Sequence, residues 1–351
     1  MNIPWLSCHH LHRRKAELGM LLALAALLQL AVGAGLSYLA GFGKAAAALS
    51  DFSWPWLFPL AGALAVSFTG YYFAYQGIYR VDGGPELSRQ QMAGVVTAGF
   101  GGFLAHGGLG LDGHILQAAG ADEREAKVRA AGLAGMEHGI LAVIGTATAI
   151  VVLAAAFRRP TPDFTLPWAV IPVPGLLAAF WAAGRYRDRF RHRRGWLGRL
   201  GAFLDSCYLI RQLFVRPLRW GPAVSGMGVF WIADAAAAWA GLAAFGYLMN
   251  PASLFVGFAT GMVFTRRTGP LGGAGILAFA LPVALWYCGA PLAVAVTGIF
   301  AYQVLVIWLP MPFALASLPA LRELGTGVPG AGGTAAPRGE PGLRQRRATS
   351  A

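Results

Sequence analysis

The chain has 351 residues, 56% of them apolar and only 12% charged, and carries a formal net charge of +13. Its mean hydropathy is +0.55. Several apolar runs of about 20 residues exclude an ordinary soluble domain and predict an all-α polytopic membrane protein.

In chain order, residues 1–16 form a short basic segment and 18–40 the first apolar run. That run is about twice as long as a signal-peptide core, so it reads as a retained span. Further spans are predicted over 54–78, 132–157, 166–183, 222–248 and 291–318, which makes six crossings. Between the second and third, residues 88–120 carry the string Gly107-Gly108-Leu109-Gly110. Between the fifth and sixth, residues 251–290 carry Gly272-Gly273-Ala274-Gly275, 165 positions further on. Helix breakers in apolar sequence leave backbone groups that lipid cannot satisfy, and broken segments at matching places in two halves mark transport pathways. Each region is therefore expected to be a re-entrant helical hairpin turning at its glycines. Ordinary spans packed through glycine are the alternative.

The charge follows topology and does not point to nucleic acid. With the N-terminus in the cytoplasm, 23 of the 28 Lys and Arg residues fall in cytoplasmic segments, leaving Lys44, Arg158, Arg159, Arg266 and Arg267 elsewhere. This orientation sends the first hairpin in from the cytoplasm and the second from outside. The halves, about 17–157 and 165–321, then share the order span, span, hairpin, span in opposite orientation, an inverted repeat. A basic insertion over 185–220 interrupts the second half. In it Leu197, Leu200, Phe203, Leu204, Cys207, Ile210 and Phe214 recur at near-helical spacing, the pattern of an interfacial helix beside anionic headgroups. Residues 322–351 are Gly-, Pro- and Arg-rich and are expected to be a disordered cytoplasmic tail. Cys8, Cys207 and Cys288 are too scattered for a disulfide framework. Arginine outnumbers lysine 25 to 3, which suggests a GC-rich bacterial source and hence the bacterial cytoplasmic membrane.

Asp234 is the sharpest chemical signal, a carboxyl near the middle of the fifth span that must face a polar cavity or a partner. Glu137 and His138 sit early in the third span, near in sequence to His106, Asp112 and His114 of the first hairpin. Imidazole and carboxylate suit Zn²⁺, but no His-Glu-x-x-His spacing is present, so polar lining of a headgroup cavity is the better reading. Arg266 and Arg267 precede the second glycine string and would hold a lipid phosphate bidentately; snorkelling to the outer interface is their alternative role. No phosphate loop, dinucleotide fold or nucleophile elbow occurs, so neither an enzyme nor a bound cofactor or metal is expected.

Arg266-Arg-Thr-Gly-Pro-Leu-Gly-Gly-Ala-Gly-Ile276 and the later Tyr302-Gln-Val-Leu-Val-Ile-Trp-Leu-Pro-Met-Pro312 resemble the C-terminal signature of the lysylphosphatidylglycerol synthase transmembrane region, the flippase-like family. Gly107 to Ala119 and Gly135-Met-Glu-His138 are similar to its first loop and the opening of its next span. The likeness extends over 17–321. It departs from the family pattern at Ala278, where Glu is common, and at His138 and Gln303, where Arg is common. The resemblance implies a lipid flippase, moving a phospholipid or polyprenyl-linked headgroup, without the aminoacyl-transferase half. The competing expectation is a non-transporting accessory subunit that docks a cell-envelope glycosyltransferase or lipid-modifying enzyme through 185–220.

Overall fold

The computed structural model describes residues 8–105, 108–157, 159–190, 193, 195–263, 275–308, 310, 312, 313 and 316. Every regular element among them is helical. They are α1 (Cys8–Ala40), α2 (Phe42–Ser50), α3 (Leu57–Arg80), α4 (Arg89–Ala105), α5 (Gly108–Ala118), α6 (Glu123–Ala154) and α7 (Pro162–Val170). There follow α8 (Pro172–Phe190), α9 (Trp196–Val215), α10 (Pro217–Ala243), α11 (Pro251–Met262), α12 (Leu277–Tyr287) and α13 (Leu292–Gln303), the last continued by a π-helical turn over Val304–Trp308.

Among the described residues five stretches are long and apolar enough to cross a bilayer: Ala23–Ala40, Trp54–Gly83, Glu123–Ala154, Pro162–Phe190 and Pro217–Ala243. They fall on the first five expected spans. α11, α12 and the Leu292–Val306 stretch are apolar but shorter.

The fourth stretch is broken into α7 and α8 at Ile171 because Pro172 has no N–H to give the Trp168 carbonyl one turn back. That carbonyl accepts instead from Thr146 Oγ1 of α6 at 2.8 Å. One tertiary bond thus repairs the break and fixes α7 on α6. Other ends are capped locally: the Asp122 carboxylate accepts from Glu125 N at the start of α6, and Asn250 Oδ1 accepts from Ala252 N and Ser253 N at the start of α11.

α3 and α10 make the most extensive helix contact among the described residues and run antiparallel. Trp56 meets Trp239 at one end and Gly77 meets Ala223 at the other. Near the middle, a Cβ on Gly70 would lie 2.5 Å from Gly226 O, and one on Gly226 would lie 2.6 Å from Gly70 O. Only glycine admits such backbone contact. α10 repeats it nearer its C-terminal end, where a Cβ on Gly241 would lie 2.7 Å from Gly298 O of α13 and one on Gly298 2.9 Å from Gly241 O.

Arg129 of α6 is buried despite its charge. Its Nη1 donates to Ile78 O at 2.9 Å and Val81 O at 2.7 Å, satisfying carbonyls that the end of α3 leaves open. Its Nη2 pairs with Glu125 at 2.7 Å.

α9 lies against α6 and α8. Ser206 Oγ donates to Val128 O at 3.1 Å, Arg124 pairs with Asp205 at 2.8 Å, and the Arg187 guanidinium sits 3.4 Å from the Tyr208 ring centre. Leu204, Cys207 and Ile210 of the expected apolar stripe are buried in protein, together with Leu209 and Leu213. Trp196, Phe203 and Val215 remain outside.

Candidate functional site

Three carboxylates lie inside the bundle, each paired with a tyrosine hydroxyl from a different helix. Tyr75 Oη of α3 donates to Asp112 Oδ1 of α5 at 3.0 Å. Tyr71 Oη, one turn earlier on α3, donates to Glu137 Oε2 of α6 at 3.2 Å. Tyr302 Oη of α13 donates to Asp234 Oδ1 of α10 at 2.9 Å. All three acids are at most 1% exposed.

The pairs are joined by aromatic rings. Tyr79 leads to Tyr75 and Tyr75 to Tyr71, with centroids 5.6 and 4.9 Å apart. Tyr71 stacks on Phe230 at 4.5 Å, and Phe230 abuts Trp231 at 4.8 Å. Phe258 then bridges Trp231 and Tyr302 at 6.0 and 6.5 Å. Trp231 Nε1 also donates to the backbone carbonyl of Glu137 at 2.7 Å. One continuous path therefore crosses the α3–α10 contact and connects the acid of each half. In surroundings this apolar, a hydroxyl donated to a carboxyl is stronger than it would be in water, and losing either member costs more.

Glu137 and Tyr302 are 165 positions apart, as are the two glycine strings. In each half the helix that follows the short pair closes a Tyr–carboxylate bond with the long helix that precedes it. The roles are exchanged: the acid is on the later helix in the first half and on the earlier helix in the second.

Asp112, Glu137 and Asp234 are thus brought into one network. His114 is exposed on α5, and His138 turns back on its own helix, where Nδ1 donates to Ala134 O at 2.9 Å. Among the described residues no group of three His, Cys, Asp or Glu side chains could hold a metal ion. His106, Arg266 and Arg267 lie outside the described residues, as do Gly107, Gly272 and Gly273. Gly108 and Gly110 occupy the first turn of α5, and Gly275 stands just before α12. α4 packs on α5, and α11 on α12.

A second polar contact escaped the reading of the sequence. Trp308 Nε1 donates to Gln29 Oε1 at 3.1 Å, and Gln29 Nε2 donates to Gln303 Oε1 at 2.9 Å. Gln29 had a readable signal, a lone amide in the middle of the first apolar run. The tyrosines had one too, since Tyr71, Tyr75 and Tyr79 recur every fourth residue along one face of α3.

On the outer side of the α3–α10 crossing, Ala65, Val66, Phe73, Pro222 and Val229 line a groove of about 540 Å³. Its two hydroxyls are spent on their own helices, Thr69 Oγ1 on Ala65 O and Ser225 Oγ on Gly221 O. The groove is therefore mainly apolar. Compared with known proteins, the chain matches no protein-family model and no curated protein sequence.

Proposed function

We propose that this protein is a membrane transporter that carries a lipid headgroup, of a phospholipid or polyprenyl-linked lipid, across the bacterial cytoplasmic membrane. The observation that carries the reading is the pair of Tyr–carboxylate bonds, Tyr71–Glu137 and Tyr302–Asp234, one in each half and each beside two short helices packed together. Buried acids in apolar helices are expensive and mark pathways for polar cargo. In this proposal α4–α5 and α11–α12 are the re-entrant hairpins of an inverted repeat with six crossings and both termini in the cytoplasm, in line with the flippase-like resemblance. His106, Asp112 and His114 extend the polar route, and Arg266 and Arg267 engage the lipid phosphate.

The acids are closed off from solvent, which corresponds to an occluded stage of alternating access. Passage requires the two halves to separate along the aromatic path. The test is translocation of a fluorescent headgroup-labelled lipid in liposomes containing the purified protein. Transport above that of protein-free liposomes is expected, and a rate unchanged in Asp234→Asn would remove Asp234 from the route.

A second reading is favoured by the outward face of α9, where Trp196 and Phe203 are exposed beside Arg199 and Arg211. On that reading the protein docks a cytoplasmic envelope enzyme. Pull-down that depends on this face, with no lipid movement in liposomes, would favour it.

A further inference from the structure

α1 is attached to the protein by a narrow strip. Between Ala23 and Ala40 only Ala25, Gln29 and Leu36 are buried, while Leu24, Leu27 and Leu30 face outward. The strip nevertheless covers an important seam. α1 touches α4 as well as α12 and α13, so it bridges the two pairs of short helices. Leu28 presses on the chain at the second glycine string, where a Cβ on Gly275 would stand 2.8 Å from Leu28 Cδ2.

Of the three buried anchors, Gln29 is the one that hydrogen-bonds. The direction of its relay is fixed, because the Trp308 indole can only donate: Gln29 must offer Oε1 to it and Nε2 to Gln303. Gln303 Nε2 is left as a buried donor with no acceptor among the described residues. Reversing the Gln303 amide would set two donors face to face, so no rearrangement within the relay satisfies it. A buried donor without a partner is unfavourable in an apolar interior. The closed position of α1 therefore leaves one polar atom waiting for an acceptor.

The geometry also supplies a pivot. Gly41, at φ +89°, separates α1 from α2. α2 stays fixed through buried Ala45 and Ala48 and its contact with α13.

We propose that α1 is a lateral gate: it swings about Gly41, opens the seam between α4 and α12–α13 to the bilayer, and exposes Gln303 Nε2 as the first hydrogen-bond donor to a phosphate oxygen of the entering lipid. This rests on the lipid-transport reading above. A gate opening sideways into lipid lets the headgroup enter while its tails stay in hydrocarbon. Phospholipids and polyprenyl phosphates share the phosphate oxygen that the donor would meet.

The test uses the full chain with Cys8, Cys207 and Cys288 replaced by alanine. Gly33→Cys and Phe300→Cys, which face each other between α1 and α13 and leave the Gln29–Gln303 relay intact, are introduced together and joined by a short bis-thiosulfonate linker, with coupling verified by mass spectrometry. Two probes are assayed in liposomes, a headgroup-labelled phospholipid and a labelled polyprenyl phosphate. The linked protein is expected to lose about tenfold or more of its transport, and reduction of the linker to restore it, because gating motions limit turnover. The probe that the unlinked protein moves identifies the lipid source. If the linked protein moves lipid as fast as the unlinked one, the gate is wrong and the transporter stands. If the unmodified protein moves neither probe, the transport reading falls and takes the gate with it.

A spin-label pair at exposed Leu30 and Ile232 checks the motion without disturbing the relay. Two distance populations, shifted toward the longer one by Gln29→Leu, are expected. A single narrow distance unaffected by that change would overturn the gate.

Discussion

Glu137 and Tyr302 stand 165 positions apart, and each completes a bond between a carboxyl and a phenol, Glu137 with Tyr71 of α3 and Tyr302 with Asp234 of α10. The same bond has been built twice with donor and acceptor exchanged. What the arrangement retains is the hydrogen bond, not the residue type at either end. The Tyr302–Asp234 bond should therefore be as sensitive to loss of the hydroxyl as to loss of the acid. Tyr302→Phe leaves a buried carboxyl short of a donor and is expected to cost about 1.5–3 kcal/mol, read as a lowered unfolding midpoint in detergent. Asp234→Asn should fold and slow lipid movement by about tenfold, a barrier change of about 1.4 kcal/mol. Unaltered stability in Tyr302→Phe would show that the bond has no weight.

The backbone contact between Gly70 and Gly226 leaves no room for a side chain. Gly226→Val is expected to cost about 1–3 kcal/mol through overpacking and to lower the yield of folded protein. On the same helix, a methyl group added at Gly228 would meet nothing within 4 Å. Gly228→Ala should instead stabilise α10 by up to about 1 kcal/mol. Thermal unfolding of the two variants side by side separates crowding from helix propensity, and equal behaviour would contradict the close approach.

Arg129→Met keeps the length of the side chain and removes its donors. Ile78 O and Val81 O then lose charged hydrogen bonds, at an expected cost of about 1.5–3 kcal/mol. Faster hydrogen exchange should appear at the end of α3. Lysine in place of arginine should recover only part of the loss, because one ammonium cannot reproduce the fork that also holds Glu125. Full recovery by lysine would reduce the role of Arg129 to its charge.

Burial pushes the Cys207 thiol up to about 11. At pH 8 its alkylation should trail that of a free thiol by about two orders of magnitude, since the thiolate is the nucleophile. The linkage has a definite sign. Below about pH 8.5 the thiol is protonated in both folded and unfolded chains and contributes nothing. As pH rises from there toward 11 the unfolded chain loses its proton first, so stability falls. Chemical unfolding at pH 8 and pH 10, with and without Cys207→Ala, checks this: the variant should be the less sensitive to pH. Cys207 is consequently a poor reporter of membrane sidedness, and an engineered cysteine at exposed Phe203 would serve better.

Much of the fold was legible from hydrophobic length alone. The first five spans fall where apolar runs of sufficient length occur, and the short helices lie where glycine and proline interrupt them. Asp234 and Glu137 were legible because a carboxyl in such a run has to be explained. Their partners were not, since tyrosine is at home in apolar sequence and gives no sign of which acid its hydroxyl will meet. The role of Arg129 was hidden for a related reason: charge counting assigns a residue to a side of the membrane and says nothing of the carbonyls that can draw a guanidinium inward. The break at Pro172 was missed because its repair comes from Thr146, a residue far away in sequence. The helical spacing of the insertion was correct, but period alone does not reveal whether an apolar face meets lipid or protein.

The glycine contacts that α10 makes with α3 and α13 set how closely this helix is held. Where side chains interdigitate, helices are held in register like meshed gears. At Gly70–Gly226 and Gly241–Gly298 backbone rests directly on backbone, so α10 is drawn as close to α3 and α13 as helices can come. Rotation of α10 would turn its neighbouring side chains into those backbones, so the bonds from Tyr302 to Asp234 and from Trp231 to Glu137 are kept in one common setting.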